Sequence, residues 1–205
     1  MESALVWRLR QWFGLRLYGI YARDLGGAIA DFSPALVGYS HRIFEAPDAE
    51  ILQALAGAPT LDMSESFMKS AFGKGDACDA VIFAGKLVSY SWMAFTPTRD
   101  SGSVFVEFGP RYRYVYKAFT LPEFRGRHAI RQFKVDSDQY CVQRGRVATI
   151  AFISIDNQPS IRYALGVGNR RIGHAGYLKF GSVFFSFRTP GVKRAGFRFF
   201  ERRLG

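Results

Sequence analysis

The residues most informative about chemistry lie between positions 118 and 131, which read Ala-Phe-Thr-Leu-Pro-Glu-Phe-Arg-Gly-Arg-His-Ala-Ile-Arg. An expected strand runs into Pro122, a turn carries Arg125, Gly126 and Arg127, and an expected helix follows at once. Backbone N–H groups at the start of a helix attract anions, and the helix dipole adds to the attraction. Arginines beside them make charge-assisted hydrogen bonds to phosphate oxygens. The segment predicts a cradle for a pyrophosphate group, although a strand, a turn and a helix with arginines can also be purely structural.

A second informative segment follows a near-continuous apolar run at 147–154, which is typical of a strand buried on both faces. Residues 157–168 read Asn-Gln-Pro-Ser-Ile-Arg-Tyr-Ala-Leu-Gly-Val-Gly. In their order and spacing, the two segments resemble the acyl-CoA-binding motifs of the GNAT superfamily of acyltransferases. The resemblance covers about residues 80–187. Arg125 falls on the leading Arg or Gln position of the first motif, and Asn157 and Ser160 fall where the family places residues beside the pantetheine or phosphate groups.

Both segments also depart from the family pattern. His128 and Ile130 occupy positions that are usually small, chiefly Gly, while Ala129 keeps one neighbouring position small. A side chain at a point of close approach adds bulk, so these residues bear on how tightly a pyrophosphate fits. In the second segment, Ala164 stands where the family often has a tyrosine general acid. The adjacent Tyr163 would point about 100° away on a helix.

The resemblance implies how coenzyme A would be held. The strand ending at Thr120 is expected to splay from the strand at 147–154, and the pantetheine arm to pair with strand backbone in that gap. An amine would then attack the thioester of acetyl-CoA or another acyl-CoA directly, while a backbone N–H polarises the thioester carbonyl. The implied cofactor-binding residues are Ala118, Phe119, Thr120, Arg125, Gly126, Arg127, His128, Ala129, Ile130, Asn157 and Ser160. No metal is expected, because the three histidines lie far apart without zinc-type spacing.

Three residues are candidates for proton transfer. Glu107 precedes the motif strand among apolar residues, where desolvation would raise the pKa of its carboxyl group, but on an alternating strand it can equally face solvent. Tyr114 and Tyr116 lie two residues apart, so they share one face of the motif strand. Either tyrosine could line the acceptor pocket or act as an acid, and either could simply pack against the sheet.

The surrounding pattern predicts an α+β fold of the GNAT type, with a mixed, mostly antiparallel sheet, flanking helices and a splayed parallel strand pair that binds acyl-CoA. We expect one domain over residues 1–205, with a helical N-terminal part at 1–75, a core at 80–187 and a basic tail at 188–205. Predicted helices lie at 4–18, 47–57, 63–73, 129–144 and 160–165, and predicted strands at 80–83, 87–95, 104–108, 112–120, 147–154 and 177–187.

The charge balance is strongly basic, with 28 Lys and Arg against 17 Asp and Glu and a formal net charge of +11. This positive charge could attract the phosphates of coenzyme A, an anionic membrane surface or nucleic acid. Alternatively, the basic residues near the C-terminus could form a solvated tail without a partner. The N-terminal residues 4–18 combine tryptophans with arginines, which suits either a helix at a membrane surface or a helix packed on a sheet. Nucleic acid is disfavoured because no helix-turn-helix, zinc or RNA-binding signature occurs.

The compartment expected from the sequence is the cytoplasm, with peripheral membrane contact as a possibility. Arginines interrupt the apolar residues of positions 1–25, whereas a secretory signal needs an uninterrupted apolar run. Cys78 and Cys141 do not form a disulfide framework.

The leading functional prediction is transfer of an acyl group, acetyl in the simplest case, from acyl-CoA to an amine. A small amine, an amino sugar and a protein amino group all remain open as the acceptor. The alternatives are a non-catalytic acyl-CoA-binding domain, which Ala164, His128 and Ile130 favour, and a basic protein that binds a membrane surface or nucleic acid.

Overall fold

The computed structural model describes residues 14–26, 37–56, 61–126 and 133–202. Eleven strands and five α-helices are described within these ranges. The strands are β1 (Arg16–Asp24), β2 (Tyr39–Phe44), β3 (Ala77–Phe83), β4 (Lys86–Ala94), β5 (Thr98–Ser101), β6 (Val104–Glu107), β7 (Tyr112–Thr120), β8 (Ala148–Ser154), β9 (Arg170–Phe180), β10 (Val183–Arg188) and β11 (Arg198–Glu201). The helices are α1 (Ala49–Leu55), α2 (Glu65–Gly73), α3 (Lys134–Gln143), α4 (Gln158–Gly166) and α5 (Pro190–Arg194).

The chain divides into two compact units. Unit 1 comprises residues 1–23, 97–109 and 150–205, and unit 2 comprises residues 24–96 and 110–149. Neither unit is a continuous segment of the sequence. A composition shift along the chain therefore could not have marked the division between them.

Unit 2 is a β-sheet covered by helices on both faces. Its strands follow the order β7-β4-β3-β2 and are antiparallel to their neighbours. On one face, α1 and α2 close a core that contains Leu52, Phe72 and Trp92. On the other face, α3 brings Cys141 against Ala77 and Met93. Because both faces are covered, β3 and β4 are buried along most of their length, whereas each helix buries one apolar face.

Unit 1 combines a four-stranded arrangement, β10-β9-β1-β8, with a three-stranded sheet, β11-β6-β5. Its core is aromatic. The ring of Phe199 on β11 lies 5.2 Å from the ring of Tyr18, 5.2 Å from that of Tyr177 and 5.3 Å from that of Phe152. Such tilted and edge-to-face contacts are the favoured geometry for aromatic packing and add to the area the rings bury.

A parallel strand pair, β7 and β8, completes the topology. The N–H of Val147, just before β8, donates to the carbonyl of Arg111, just before β7, over 2.8 Å. Both residues belong to unit 2, so the two strands begin at the same edge. The predicted class, an α+β fold with a mostly antiparallel sheet, one parallel pair and flanking helices, is confirmed. Over the described ranges, no helix has the length and apolar character to cross a membrane.

The prediction of a helical N-terminal part is wrong over two stretches. Residues 16–24 form β1 and residues 39–44 form β2, while residues 4–13 lie outside the described part of the chain. Strand β1 pairs with β9 from Arg16↔Tyr177 onward. Its Leu, Tyr and Ile residues suit a strand as well as a helix, and pairing with a distant strand decided between the two.

The predicted basic tail at 188–205 is likewise a structured element of unit 1 where it is described. Helix α5 occupies Pro190–Arg194, and β11 pairs with β6 through Arg198↔Glu107 and Phe199↔Val106. Phe197 and Phe199 are almost fully buried. Charge counting missed this strand because its buried aromatic residues alternate with arginines.

A buried ion pair anchors α3 to β7, which yields a stability prediction. The guanidinium of Arg113, fully buried, donates to the Asp138 carboxylate over 2.5 Å and to the Ser137 carbonyl over 2.8 Å. We expect Asp138→Asn to lower the free energy of unfolding by about 3–5 kcal/mol, because a buried charge loses its counter-charge. Urea denaturation measures the loss.

The exposed pair Arg42–Asp48, whose charged atoms lie 2.5 Å apart, provides the matched control. Arg42→Ala should cost less than about 1 kcal/mol because solvent screens that pair. Equal losses for the two variants would contradict the structural role assigned to Arg113.

Candidate functional site

Strand β7 contains a β-bulge at Lys117 and Ala118. Trp92 of β4 pairs with Tyr116 and Tyr90 pairs with Phe119, so two residues of β7 stand opposite one residue of β4. Lys117 has a φ angle of +45°, which is uncommon for a residue other than glycine. A bulge leaves its extra residue outside the ladder and bends the strand. Its position coincides with the start of the segment Ala118–Thr120 that the sequence assigned to coenzyme A.

The side chain of Lys117 is fixed on the helical side of the sheet. Its ammonium lies 2.7 Å from the Asp62 carboxylate and 4.7 Å from the centre of the Phe67 ring. The left-handed backbone costs about 1–3 kcal/mol, and the ion pair offsets little of this, because 85% of the Asp62 side chain is exposed and solvent screens the pair. The neighbouring Ala118 is exposed.

The end of β7 is held from β4 by Ser89. The hydroxyl of Ser89 donates to the Phe119 carbonyl over 2.8 Å and lies 2.5 Å from the Thr120 hydroxyl. The Thr120 carbonyl accepts from Nε of Arg125 over 3.0 Å. These bonds fix the strand end and the first residue of the turn together. Sequence reasoning missed Ser89, since a serine on a strand carries no signal of this contact.

The turn after β7 begins as predicted. Residues 122–124 form a short 3-10 helix, and Arg125 is extended and exposed. Gly126 has a φ angle of +76°, a conformation that favours glycine. Arg127, His128, Ala129 and Ile130 lie outside the described residues, and the described part of the following helix is α3, from Lys134 to Gln143.

A polar cluster in unit 2 holds the first turn of α3 against the sheet. Asp79 of β3 accepts a bond from Nε2 of His41 over 2.6 Å and one from the Ser137 hydroxyl over 2.7 Å, and the Lys134 ammonium lies 3.8 Å away. Burial opposes ionisation of Asp79, but His41, Lys134 and Ser137 outweigh it and lower the pKa of the carboxyl group. The His41 ring also stacks on Phe133. No pattern in the sequence indicated this cluster, because its members come from separate elements.

Tyr114 and Tyr116 share a face of β7, as predicted, and their rings stack 5.6 Å apart. Tyr114 is buried. The Tyr116 hydroxyl donates to Asp76 Oδ2 over 2.6 Å, and the Lys74 ammonium contacts the same oxygen over 2.6 Å. This carboxylate and lysine, just before β3, were also missed by sequence reasoning.

Burial has the largest effect on the pKa values of Asp76 and Tyr116. It raises the pKa of Asp76 above its ordinary value, although the bonds from Lys74 and Tyr116 act in the opposite direction. Burial, followed by the nearby Asp76 charge, also places the pKa of Tyr116 far above its usual range. The tyrosine therefore keeps its proton while Asp76 is the group able to accept one.

Glu107 lies on β6 in unit 1 and its carboxylate pairs with Arg198 on β11. Val104 and Val106 point into the core, so strand alternation directs Glu107 outward, with 37 % of its side chain exposed. The apolar residues near it in sequence do not bury it, contrary to the reason that made it a candidate base.

Asn157 and Ser160 begin helix α4 in unit 1. The Asn157 side chain caps the helix by accepting the backbone N–H of Ser160 over 3.2 Å. Ala164 faces the core and is buried, whereas Tyr163 is 42 % exposed. The absence of a tyrosine at 164 thus leaves a small apolar contact there, and the predicted helix at 160–165 is confirmed within Gln158–Gly166.

No family model matches this sequence, and no curated protein matches it either. Solved structures do match. A tandem GNAT protein from the clavulanic acid biosynthesis pathway superimposes with a TM-score of 0.52 and 15% identity over 92% of this chain and 59% of its own. A GNAT-family protein from Novosphingobium aromaticivorans, described as a possible acetyltransferase, gives a TM-score of 0.50 and 18% identity over 80% of this chain.

This chain spans 64% of the Novosphingobium chain and 59% of the tandem protein, so both matched chains contain further structure. At these identities the likeness concerns the arrangement of helices and strands. It agrees with the mostly antiparallel sheet and its parallel pair β7–β8. The chain therefore has the fold of the GNAT acetyltransferases.

Proposed function

We propose that this protein transfers an acyl group, acetyl in the simplest case, from acyl-CoA to an amine. The observation that carries the proposal is the β-bulge at Lys117–Ala118, placed directly before the Arg125–Gly126 turn. A bulge frees backbone groups from the ladder, and an exposed strand segment with free groups can pair with an extended ligand. The exposed Ala118 would offer such groups to the amides of a pantetheine arm.

The phosphate-binding role belongs in this proposal to the turn in unit 2. Arg125 is exposed, and its Nε is already bonded to Thr120, which leaves the terminal nitrogens of the guanidinium for a phosphate. Among the described residues other than its chain neighbours, none lies within 4 Å of the Cβ position of Gly126, which leaves room on that side for an anion to approach the backbone. Arg127, His128, Ala129 and Ile130 continue the proposed phosphate-binding segment. Separately, Asn157 and Ser160 of unit 1 are proposed as contacts to coenzyme A.

In the reaction, the amine nitrogen attacks the thioester carbon, an amide bond forms, and the carbon–sulfur bond breaks. Coenzyme A leaves as a thiolate that takes up one proton, and the amine gives one up. A backbone N–H at the bulge would polarise the carbonyl oxygen. We assign proton transfer to Asp76 and Tyr116, because Tyr116 immediately precedes the bulge and Asp76 is the acceptor in contact with it. Tyr114 is proposed to support Tyr116 by stacking, and Glu107 remains a second proposed base.

A second candidate function is acyl-CoA binding without turnover. The observation that favours it is Ala164, which replaces the family's frequent tyrosine and is buried against the core. A small amine, an amino sugar or a protein amino group is proposed as the acceptor in the catalytic case. The cytoplasm is proposed as the compartment, since the buried Cys78 and Cys141 are free thiols.

Binding of acetyl-CoA should depend on Arg125. We expect Arg125→Ala to weaken binding by about 10- to 100-fold, because it removes a charge-assisted hydrogen bond worth about 1.5–3 kcal/mol. Calorimetric titration measures the dissociation constant. Arg111→Ala is the matched control, since this exposed arginine of the same unit carries the same charge. If a folded wild type fails to bind acetyl-CoA, or if both variants bind alike, the phosphate-binding role is wrong.

The acid limb of the pH–rate profile should report on Asp76. Because burial raises the pKa of this carboxyl group, the rate of thiol release should fall with decreasing pH above the ordinary Asp range of about 4. The bond from Tyr116 lowers the same pKa. Tyr116→Phe should therefore move the limb to higher pH and reduce kcat while leaving the Kd for acetyl-CoA unchanged.

Tyr112→Phe, on the same strand, should move neither the limb nor kcat. An unshifted limb in Tyr116→Phe would remove Asp76 from the mechanism. Binding of acetyl-CoA without thiol release for any amine, in the wild type itself, would favour the non-catalytic function.

A further inference from the structure

The hairpin β9–β10 in unit 1 projects three large apolar side chains into solvent. Phe180, Val183 and Phe185 are 60%, 59% and 61% exposed. Phe180 and Val183 pair across the turn, and Phe185 lies two residues beyond Val183, so all three share one face of the hairpin. Among the described residues these are the largest exposed apolar side chains that neighbour one another in a single strand register. Clusters of this kind mark interaction sites.

The hairpin is rigidly held, so these side chains are not exposed through loose packing. On the opposite face, the ring of Phe184 lies 5.6 Å from that of Tyr177 in the core. On the same face as Phe185, the ring of Phe187 covers the backbone of Gly176, where an added Cβ would lie 2.6 Å from that ring. Six consecutive residue pairs join the two strands without a register shift. Because side chains alternate along a strand, Phe184 points inward and Phe185 points outward.

The net positive charge of the chain is concentrated in the same unit. The described residues of unit 1 include 12 Lys and Arg but 4 Asp and Glu, for a net charge of +8. The described residues of unit 2 include 11 of each sign, for a net charge of zero. The exposed apolar side chains of the hairpin thus belong to a strongly basic unit, whereas the described residues of unit 2 have no net charge.

Basic residues lie close to the hairpin itself. Arg16 is the cross-strand partner of Tyr177 and is exposed. The Lys179 ammonium contacts both the Ser103 hydroxyl and the Glu201 carboxylate, and the backbone N–H of Arg202 donates to the Ser103 carbonyl. Arg16 and Lys179 therefore lie on the face of the hairpin opposite Phe180, Val183 and Phe185, and Glu201 is the acid that Lys179 contacts.

The first described residue of unit 1, Gly14, lies against this hairpin. Gly14 packs so closely that an added Cβ would lie 2.5 Å from the carbonyl oxygen of Lys179. The residues before Gly14 include Trp7, Trp12 and Phe13 together with arginines. Aromatic and basic side chains are what a segment at a membrane interface requires. By sequence alone, a second membrane-compatible segment thus precedes Gly14.

We propose that unit 1 docks on an anionic phospholipid bilayer through the tip of the β9–β10 hairpin. The apolar side chains enter the interface between headgroups and acyl chains, and the net positive charge of unit 1 attracts the unit to the anionic lipid phosphates. A second copy of the chain is disfavoured as the occupant, because two units of charge +8 repel each other. Nucleic acid would use the charge but would leave Phe180, Val183 and Phe185 without apolar contacts. This docking does not depend on the proposed acyl transfer.

Vesicle co-sedimentation tests the proposal with the full chain. The wild type should sediment with vesicles of phosphatidylcholine and phosphatidylglycerol, much less with phosphatidylcholine alone, and less as salt is added. The triple variant Phe180→Ser, Val183→Ser, Phe185→Ser should lower the partition coefficient at least about tenfold, since burial of each side chain contributes to binding. Val135→Ser with Val142→Ser, exposed in unit 2, is the control and should sediment like the wild type.

Equal sedimentation of the triple variant and the wild type would overturn the proposal, as would failure of the wild type to bind anionic vesicles. A wild-type dimer that the triple variant converts to a monomer in light scattering, without vesicle binding, would show that a second copy covers the hairpin. Acetyl-CoA titration of the triple variant should match the wild type. Loss of acetyl-CoA binding in every protein, with vesicle binding intact, would contradict the acyltransferase proposal and leave this one standing.

Discussion

The candidate site depends on one irregularity of the backbone, which is the extra residue in β7 opposite β4. Regular pairing would engage the backbone groups of one of these two residues, Lys117 or Ala118, in the ladder with β4. The bulge prevents this, and side-chain contacts flank it on both sides. Asp62 and Phe67 hold the Lys117 side chain, and Ser89 holds the following carbonyl group of Phe119. A strained segment between two anchored ends is a suitable place for a site, because its geometry is set before any ligand arrives.

The second constraint is the set of buried contacts that hold α3, the helix that follows the turn. Asp79 and Asp138 are buried carboxylates, and they join β3 and β7 to α3 through His41, Ser137 and Arg113. Buried charges tolerate little displacement, since each loses much of its stabilisation when its partner moves. The helix is therefore held in a defined position relative to the strand that carries the bulge. Both elements belong to unit 2.

The sequence predicted the fold class and the local elements of the motifs because these follow from short-range signals. The strand running into Pro122 corresponds to β7, the apolar run at 147–154 to β8, and the helix predicted at 160–165 lies within α4. Contacts between distant residues were beyond such reasoning. β1 resembled a helix until β9 paired with it, β11 was hidden in a basic segment, and neither Asp76 nor Asp79 carried a motif. Glu107 was judged by its neighbours in sequence, but its neighbour in space is Arg198. The bulge itself is invisible in the sequence, since it is a property of strand register.

Hydrogen exchange of the protein with and without acetyl-CoA tests the central claim most directly. Mass spectrometry of peptides would resolve Ala118–Gly126 from the β9–β10 hairpin. If the backbone after the bulge pairs with the pantetheine arm, acetyl-CoA should slow exchange in Ala118–Gly126 and leave the hairpin unchanged. Unchanged exchange in Ala118–Gly126 at saturating acetyl-CoA would contradict the account, because the ligand would then be bound elsewhere or not at all.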